Sequence, residues 1–147
     1  MIITEHILGN IHAANVQKPV VEVPYEWFEC ERHRIRKVAD DGTEFGVAVP
    51  GGVHDGDILY EDEHCYAVAV RETRLLSVAV HSIREAALAG FELGNRHIGL
   101  KIEEGRILVP YDLPTFSYLA ELGFDVSEVY GKVDAFRTCR AHGRDHG

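Results

Sequence analysis

The segment Gly94-Asn95-Arg96-His97 is the place in this 147-residue sequence where residue types and spacing best suit chemistry. The pattern predicts a helix that ends at Gly94, followed by polar residues and then by His97 directly before an apolar strand. A histidine held beside a helix terminus keeps one ring nitrogen free, and neutral imidazole binds Ni, Cu, Zn and Co. A lone histidine more often caps or packs, so His97 is a candidate metal ligand that needs support from other residues.

Two more histidines, His142 and His146, flank Gly143-Arg144-Asp145 in a C-terminal segment without apolar periodicity. We expect this tail, residues 139–147, to be mobile. Paired imidazoles in such a segment can close over a metal held elsewhere, and the entropy cost of ordering them favours release. Two histidines cannot complete a four-ligand site, and an incidental polar tail is the alternative. Cys139 lies beside them as a possible soft ligand.

The remaining chemistry-bearing residues give weaker signals. His6, His12, His64 and His81 stand singly, and solvated turns or caps explain them. Cys30 and Cys65 are predicted to be small buried side chains. The sequence contains no phosphate-binding glycine loop, no GxSxG and no HExxH, so catalysis finds little support.

Composition excludes several classes of protein. With 15 Lys and Arg against 24 Asp and Glu, the formal charge is −9, which opposes nucleic-acid binding. No apolar run is long enough to span a membrane, and the N-terminus does not resemble a signal peptide. Three widely spaced cysteines form neither a zinc pattern nor a disulfide framework, so we expect a cytoplasmic protein.

The chain divides into two halves of different periodicity. Residues 1–71 carry short apolar or alternating runs between turns and predict a small all-β domain, a sandwich or barrel. Its clearest element is a hairpin over residues 32–49 that turns at Asp40-Asp41-Gly42.

Residues 72–138 predict the order β-α-β-β-α-β of a ferredoxin-like domain, so the fold class is α+β. Ser82 and Glu85 have capping-box spacing at the start of the first helix. That helix is predicted to bury one face and to end with Gly94 as its C′ residue; the face comprises Ile83, Ala86, Ala87, Gly90 and Phe91. The second helix is predicted to begin at Asp112-Leu113-Pro114 and to stop at Gly123.

Together these residues resemble the UreE family of urease accessory metallochaperones. The most specific part is Phe91-Glu92-Leu93-Gly94-Asn95-Arg96-His97, which is similar to the family's Gly-Asn-Arg-His signature. Residues 41–50, Gly52 and residues 55–59 are similar to the family's N-terminal domain, and a short tail with histidines also fits. The resemblance covers nearly the whole chain.

The resemblance implies a cytoplasmic nickel chaperone for urease maturation, not an enzyme. It implies a partner-binding β domain and a homodimer in which the signature histidines of two subunits bind one nickel ion between them. Carried over, these ligands are His97 and, from the tail, His142 and His146; Zn²⁺ and Cu²⁺ are expected to bind the same donors. The implied partners are an accessory GTPase and the urease apo-enzyme, with no nucleic acid and no membrane.

Two departures from the family limit what is carried over. Many members have a long histidine-rich tail, whereas this one has two histidines, so metal storage is not expected. Tyr111, Asp112 and Leu113 stand where some members have further histidines, so that additional site is not expected either.

Two alternatives remain open at the level of sequence. One is a two-domain protein-interaction module whose metal binding is incidental. The other is a small metal-dependent hydrolase at His97, for which Glu92 or Asp112 would have to act as the general base.

Overall fold

The computed structural model describes residues 1–138, and these form an α+β fold. Within them lie ten strands, two α-helices and a 3-10 turn at Trp27–Glu29. The elements in chain order are β1 (Ile2–Thr4), β2 (Val20–Tyr25), β3 (Ile35–Val38), β4 (Glu44–Val47), β5 (Ile58–Glu61), β6 (Cys65–Val70), β7 (Thr73–Ala79), α1 (Ile83–Asn95), β8 (Lys101–Glu103), β9 (Arg106–Pro110), α2 (Leu113–Glu121) and β10 (Asp125–Gly131).

The described residues form two compact units. The first unit comprises Met1–Thr73 and Lys132–Ala135, and the second comprises Arg74–Gly131 and the described residues from Phe136 onward. The domain limits inferred from the sequence, 1–71, 72–138 and 139–147, stay a prediction. Neither helix within residues 1–138 is long and apolar enough to cross a membrane.

The first unit is all-β. It contains two three-stranded sheets, ordered β1-β4-β3 and β2-β6-β5, around one core of mainly valine and aromatic side chains. The predicted hairpin is confirmed as β3 and β4, which pair antiparallel across the turn at Gly42. The sequence did not predict β1 and β2, each of which pairs in parallel with a distant strand. Pro24 is tolerated in β2 because that strand lies at a sheet edge.

The second unit is a four-stranded sheet with two helices, as the sequence predicts. Its strand order is β10-β7-β9-β8, and β9 pairs antiparallel with both β7 and β8. With the connections β7-α1-β8-β9-α2-β10, this is the ferredoxin-like arrangement. Leucine and valine side chains of the sheet pack with Ala89 and Leu93 of α1 and with Leu119 of α2.

Candidate metal centre

His97 is positioned by the turn that ends α1. The predicted stop at Gly94 is wrong: the helix continues through Asn95, Arg96 is the cap, and His97 follows with a left-handed φ of 58°. The Ile98 amide donates to the Leu93 carbonyl at 3.0 Å, and the His97 amide donates to the Gly94 carbonyl at 3.0 Å. These two bonds define a Schellman motif with His97, not Gly94, at the C′ position.

The same motif ends α2 with a glycine in the corresponding place, as predicted. Phe124 donates to Leu119, Gly123 donates to Ala120, and Gly123 has a φ of 92°. Glycine is favoured there because a Cβ destabilises the left-handed conformation. Among residues 1–138, His97 is the only non-glycine residue with a positive φ. Its main chain is therefore held in a conformation that histidine seldom adopts.

The imidazole of His97 is exposed at the end of the helix. Within residues 1–138 no hydrogen bond or ion pair engages its ring. The same residues contain no group of three or more His, Cys, Asp or Glu side chains arranged to hold a metal ion. In the described part of one chain, His97 is therefore a single available donor, and further ligands would have to come from elsewhere.

A side-chain brace joins α1 to α2 beside His97. The Tyr118 hydroxyl donates to Glu92 Oε1 at 2.8 Å, and this bond raises the pKa of Tyr118. The Arg96 guanidinium lies 4.1 Å from the centre of the Tyr118 ring, within cation–π range. These contacts hold the last turn of α1 against α2. His97, which directly follows this turn, is therefore attached to a well-packed helix end.

The hydrolase alternative is weakened by the roles of its two proposed bases. Glu92 belongs to the brace, where it accepts from Tyr118. Asp112 is the N-cap of α2, and its carboxylate accepts from the Thr115 amide at 3.0 Å and from the Thr115 hydroxyl at 2.7 Å. Both carboxylates have structural partners.

The predicted buried face of α1 is wrong. Ile83 is 89% exposed and Phe91 is 69% exposed, whereas the fully buried helix residues are Ala89 and Leu93. The exposed face borders an apolar groove of about 340 Å³ that also includes Ile102, 70% exposed, on the edge strand β8. Contiguous apolar surface of this kind is typical of an interaction site.

The other candidates form no metal-binding group within residues 1–138. His12 lies 2.9 Å from Asp55, and His54 and His64 each lie 3.8 Å from an aspartate. Cys30 and Cys65 are buried, as predicted, and burial raises the pKa of the Cys30 thiol to about 12. Cys139, His142 and His146 lie outside the described residues.

Sequence reasoning missed the partners of Tyr118 and Arg96. The signal was weak, because a tyrosine on one helix and an arginine after another come together only through the tertiary fold. Ser82 accepts from the Glu85 amide as predicted, but the Glu85 carboxylate reaches the amide of His81 instead of that of Ser82.

Comparison with known proteins gives matches over nearly the whole chain. Residues 4–71 match the family model described as UreE urease accessory protein, N-terminal domain, and residues 73–147 match the model of its C-terminal domain. The urease accessory protein UreE of Bifidobacterium longum subsp. infantis is 44% identical over 97% of this chain, and the match spans 66% of that relative's length.

Two further relatives match along more of their own length. The urease accessory protein UreE of Halalkalibacterium halodurans is 33% identical over 83% of this chain and 84% of its own. The protein of the same name from Acetivibrio thermocellus is 26% identical over 98% of this chain and 97% of its own.

Proposed function

We propose a function from one premise: this chain belongs to the UreE urease accessory protein family. It is thus an accessory protein of urease maturation, not an enzyme. The proposed activity is that of a cytoplasmic nickel chaperone, which binds Ni²⁺ at a homodimer interface and delivers it for assembly of the urease active site.

The observation that carries this proposal is the state of His97. Its imidazole is exposed, has no partner within residues 1–138, and follows a helix turn that would ordinarily end in glycine. Keeping a histidine in a left-handed position costs about 1–2 kcal/mol. Such strain is commonly retained at functional sites. A role as metal ligand would explain why histidine, and not glycine, stands at this position.

A homodimer would supply the ligand that one chain lacks. A two-fold axis presents the same residue from each subunit, so two copies of His97 can meet. The exposed apolar face of α1, with Ile83 and Phe91, supports association between these units. We assign the auxiliary ligand role to His142 and His146 of the tail.

The proposed ligand set suits a carrier better than a structural metal site. Neutral imidazoles bind Ni²⁺ and also accept Zn²⁺ and Cu²⁺, so selectivity would depend on geometry and metal supply. Because a metal binds only the neutral imidazole, protons compete with the metal for these ligands and affinity should fall as the pH is lowered. Ligands on a tail would allow the site to open on contact with a recipient.

The proposed recipients are an accessory GTPase and, through it, the urease apo-enzyme. The first compact unit, which contributes no ligand in this proposal, would bind the partner. The interaction module without metal function remains the second candidate, because the described part of one chain holds no complete metal site.

Activation of purified urease apo-enzyme complex tests the proposal. The nickel-loaded protein should raise urease activity in the presence of a chelator that removes free nickel. The variant His97→Asn should lose that effect, because asparagine tolerates the left-handed position but lacks the imidazole. Equal activation by the variant would favour the interaction module and contradict the chaperone mechanism.

A further inference from the structure

A groove of about 690 Å³ lies on the outer face of the sheet β1-β4-β3 in the first unit. The strand register places Ile3, Gly46 and Arg36 side by side across this face. Residues two positions along, which share the face, are Ala48 and Arg34. Small residues thus form the floor, an isoleucine that is 63% exposed forms one wall, and arginines form the other.

The arginines of this groove are not held in ion pairs with any described residue, although the positive charge of Arg32 helps to lower the pKa of Glu29. Arg32, Arg34 and Arg36 are exposed, and within residues 1–138 no hydrogen bond or ion pair engages their guanidinium groups. Two carboxylates also line the groove, Glu29, which is bound by Lys37 at 2.9 Å, and the exposed Glu5, so the three arginines outnumber them. Elsewhere, Arg74 and Arg106 pair with glutamates, as expected in a chain with 24 acidic residues.

We propose that this arginine groove, defined by Ile3, Arg32, Arg34, Arg36, Gly46 and Ala48, binds an extended acidic segment of a partner protein. Guanidinium groups bind carboxylates in bidentate geometry. Ala48 keeps one part of the floor low, whereas Gly46 lies beneath the side-chain ends of Ile3 and Met1, which offer an apolar contact to the uncharged side chains of the peptide. The inference deepens the proposed function and rests on it for the role of the partner, but it does not depend on metal binding.

Charge distinguishes a peptide from a nucleic acid as the occupant. A long polyanion would be repelled by a protein whose net charge is −9. A short segment interacts mainly with charges within a Debye length, about 8 Å at physiological salt, and there it meets the cationic wall. A short acidic peptide therefore fits the local charge of the groove, and its length limits repulsion from the rest of the protein.

The test uses a fluorescein-labelled dodecapeptide of alternating glutamate and valine, with metal-free full-length protein and fluorescence anisotropy as the readout. We expect saturable binding that weakens with salt and falls at least about tenfold in Arg36→Glu, since a favourable charge contact becomes repulsive. Arg71→Glu makes the same charge change at an exposed position of the first unit outside the groove, and should bind within about twofold of the unchanged protein.

A second variant tests the groove's shape without changing its charge. A Cβ at Gly46 would lie 2.9 Å from the Ile3 Cδ1 atom and 3.2 Å from the Met1 sulfur, both at the ends of flexible side chains. Gly46→Val should therefore fold, as a cooperative change in Trp27 fluorescence during urea unfolding would verify. It should weaken peptide binding because the displaced ends of Ile3 and Met1 narrow the groove.

Several results would overturn the inference. These are absence of saturable binding, equal losses in Arg36→Glu and Arg71→Glu, equal binding of a peptide with glutamine in place of glutamate, and tighter binding of a labelled oligothymidylate. A change in oligomeric mass in Arg36→Glu without peptide binding would assign the groove to a second copy instead. Because no nickel is present, failure here leaves the metal proposal standing, and failure of nickel binding leaves this result unaffected.

Discussion

The placement of His97 depends on one backbone conformation. The two Schellman motifs of the second unit differ at the C′ position, which is His97 after α1 and Gly123 after α2. Since the hydrogen bonds are the same, the comparison isolates the contribution of the side chain. A residue chosen only for stability at this position would be glycine.

Substitution of His97 by glycine should therefore stabilise the second unit. We expect His97→Gly to raise the free energy of unfolding by about 1 kcal/mol, because the left-handed conformation no longer opposes a Cβ. Urea unfolding followed by far-ultraviolet circular dichroism measures the change. His97→Ala is the control, since it removes the imidazole but keeps the Cβ and should show no such gain. A loss of stability in His97→Gly would contradict the strain assigned to this turn.

At the scale of elements, the sequence predicted where most helices and strands lie but not which side of α1 is buried. Ile83 and Phe91 satisfy helical periodicity as well as any core face does. Periodicity shows that one face of the helix is apolar. It does not show whether that face is covered by the same chain or by another chain, because this depends on tertiary packing. The residues of α1 that pack into the core of this unit are instead Ala89 and Leu93.

The end of α1 shows a second limit of sequence reasoning. Gly94 carries the usual signal for a helix C-terminus, yet it lies within the last turn and the motif is completed by His97. At α2 the glycine signal was correct, because Gly123 has the left-handed conformation. Short parallel strands such as β1 were missed because three residues carry too little pattern and their partner is distant in sequence.

The 3-10 turn at Trp27–Glu29 is tied to β3 by a partly buried ion pair, which makes its stability depend on pH. Burial opposes ionisation of Glu29, but the Glu26 amide and the Lys37 ammonium outweigh it and lower the pKa of Glu29. The ionised Glu29 carboxylate therefore stabilises the folded state at pH values above the unfolded pKa of about 4.3. This stabilisation is lost as the pH falls through the lower pKa of the folded state.

We expect Glu29→Gln to be about 1 kcal/mol less stable than the unchanged protein near pH 7, with the difference shrinking as the pH falls below the unfolded pKa of Glu29. The chain's single tryptophan, Trp27, reports unfolding of this unit by fluorescence. Glu31→Gln is the matched control, because within residues 1–138 the Glu31 side chain makes no hydrogen bond or ion pair. A difference that persists unchanged at low pH would exclude the assigned ion pair.

For the whole molecule, the proposed metal site requires two copies of the chain. The described part of a single chain offers His97 without a second ligand, and it leaves an apolar helix face exposed. A two-fold dimer answers both observations at once, since it can bury the face and bring the two imidazoles together.

The substitution Phe91→Asp should prevent the proposed dimer from forming. A charge placed in an apolar interface must be desolvated without a partner, which costs several kcal/mol and exceeds what most interfaces tolerate. Sedimentation velocity measures the mass. Leu113→Asp is the control, because Leu113 is similarly exposed, at 61%, but lies in the first turn of α2 and not on α1. A dimer that persists in Phe91→Asp would place the interface elsewhere.

We propose that nickel is bound between two chains through His97. Calorimetric titration of Ni²⁺ into protein whose mass is measured by light scattering in the same buffer tests it directly. The account predicts one tight site per two chains, lost in His97→Gly while the protein stays dimeric, and weakened by truncation before His142. One tight site per single chain, or tight binding that is unchanged in His97→Gly, would contradict it.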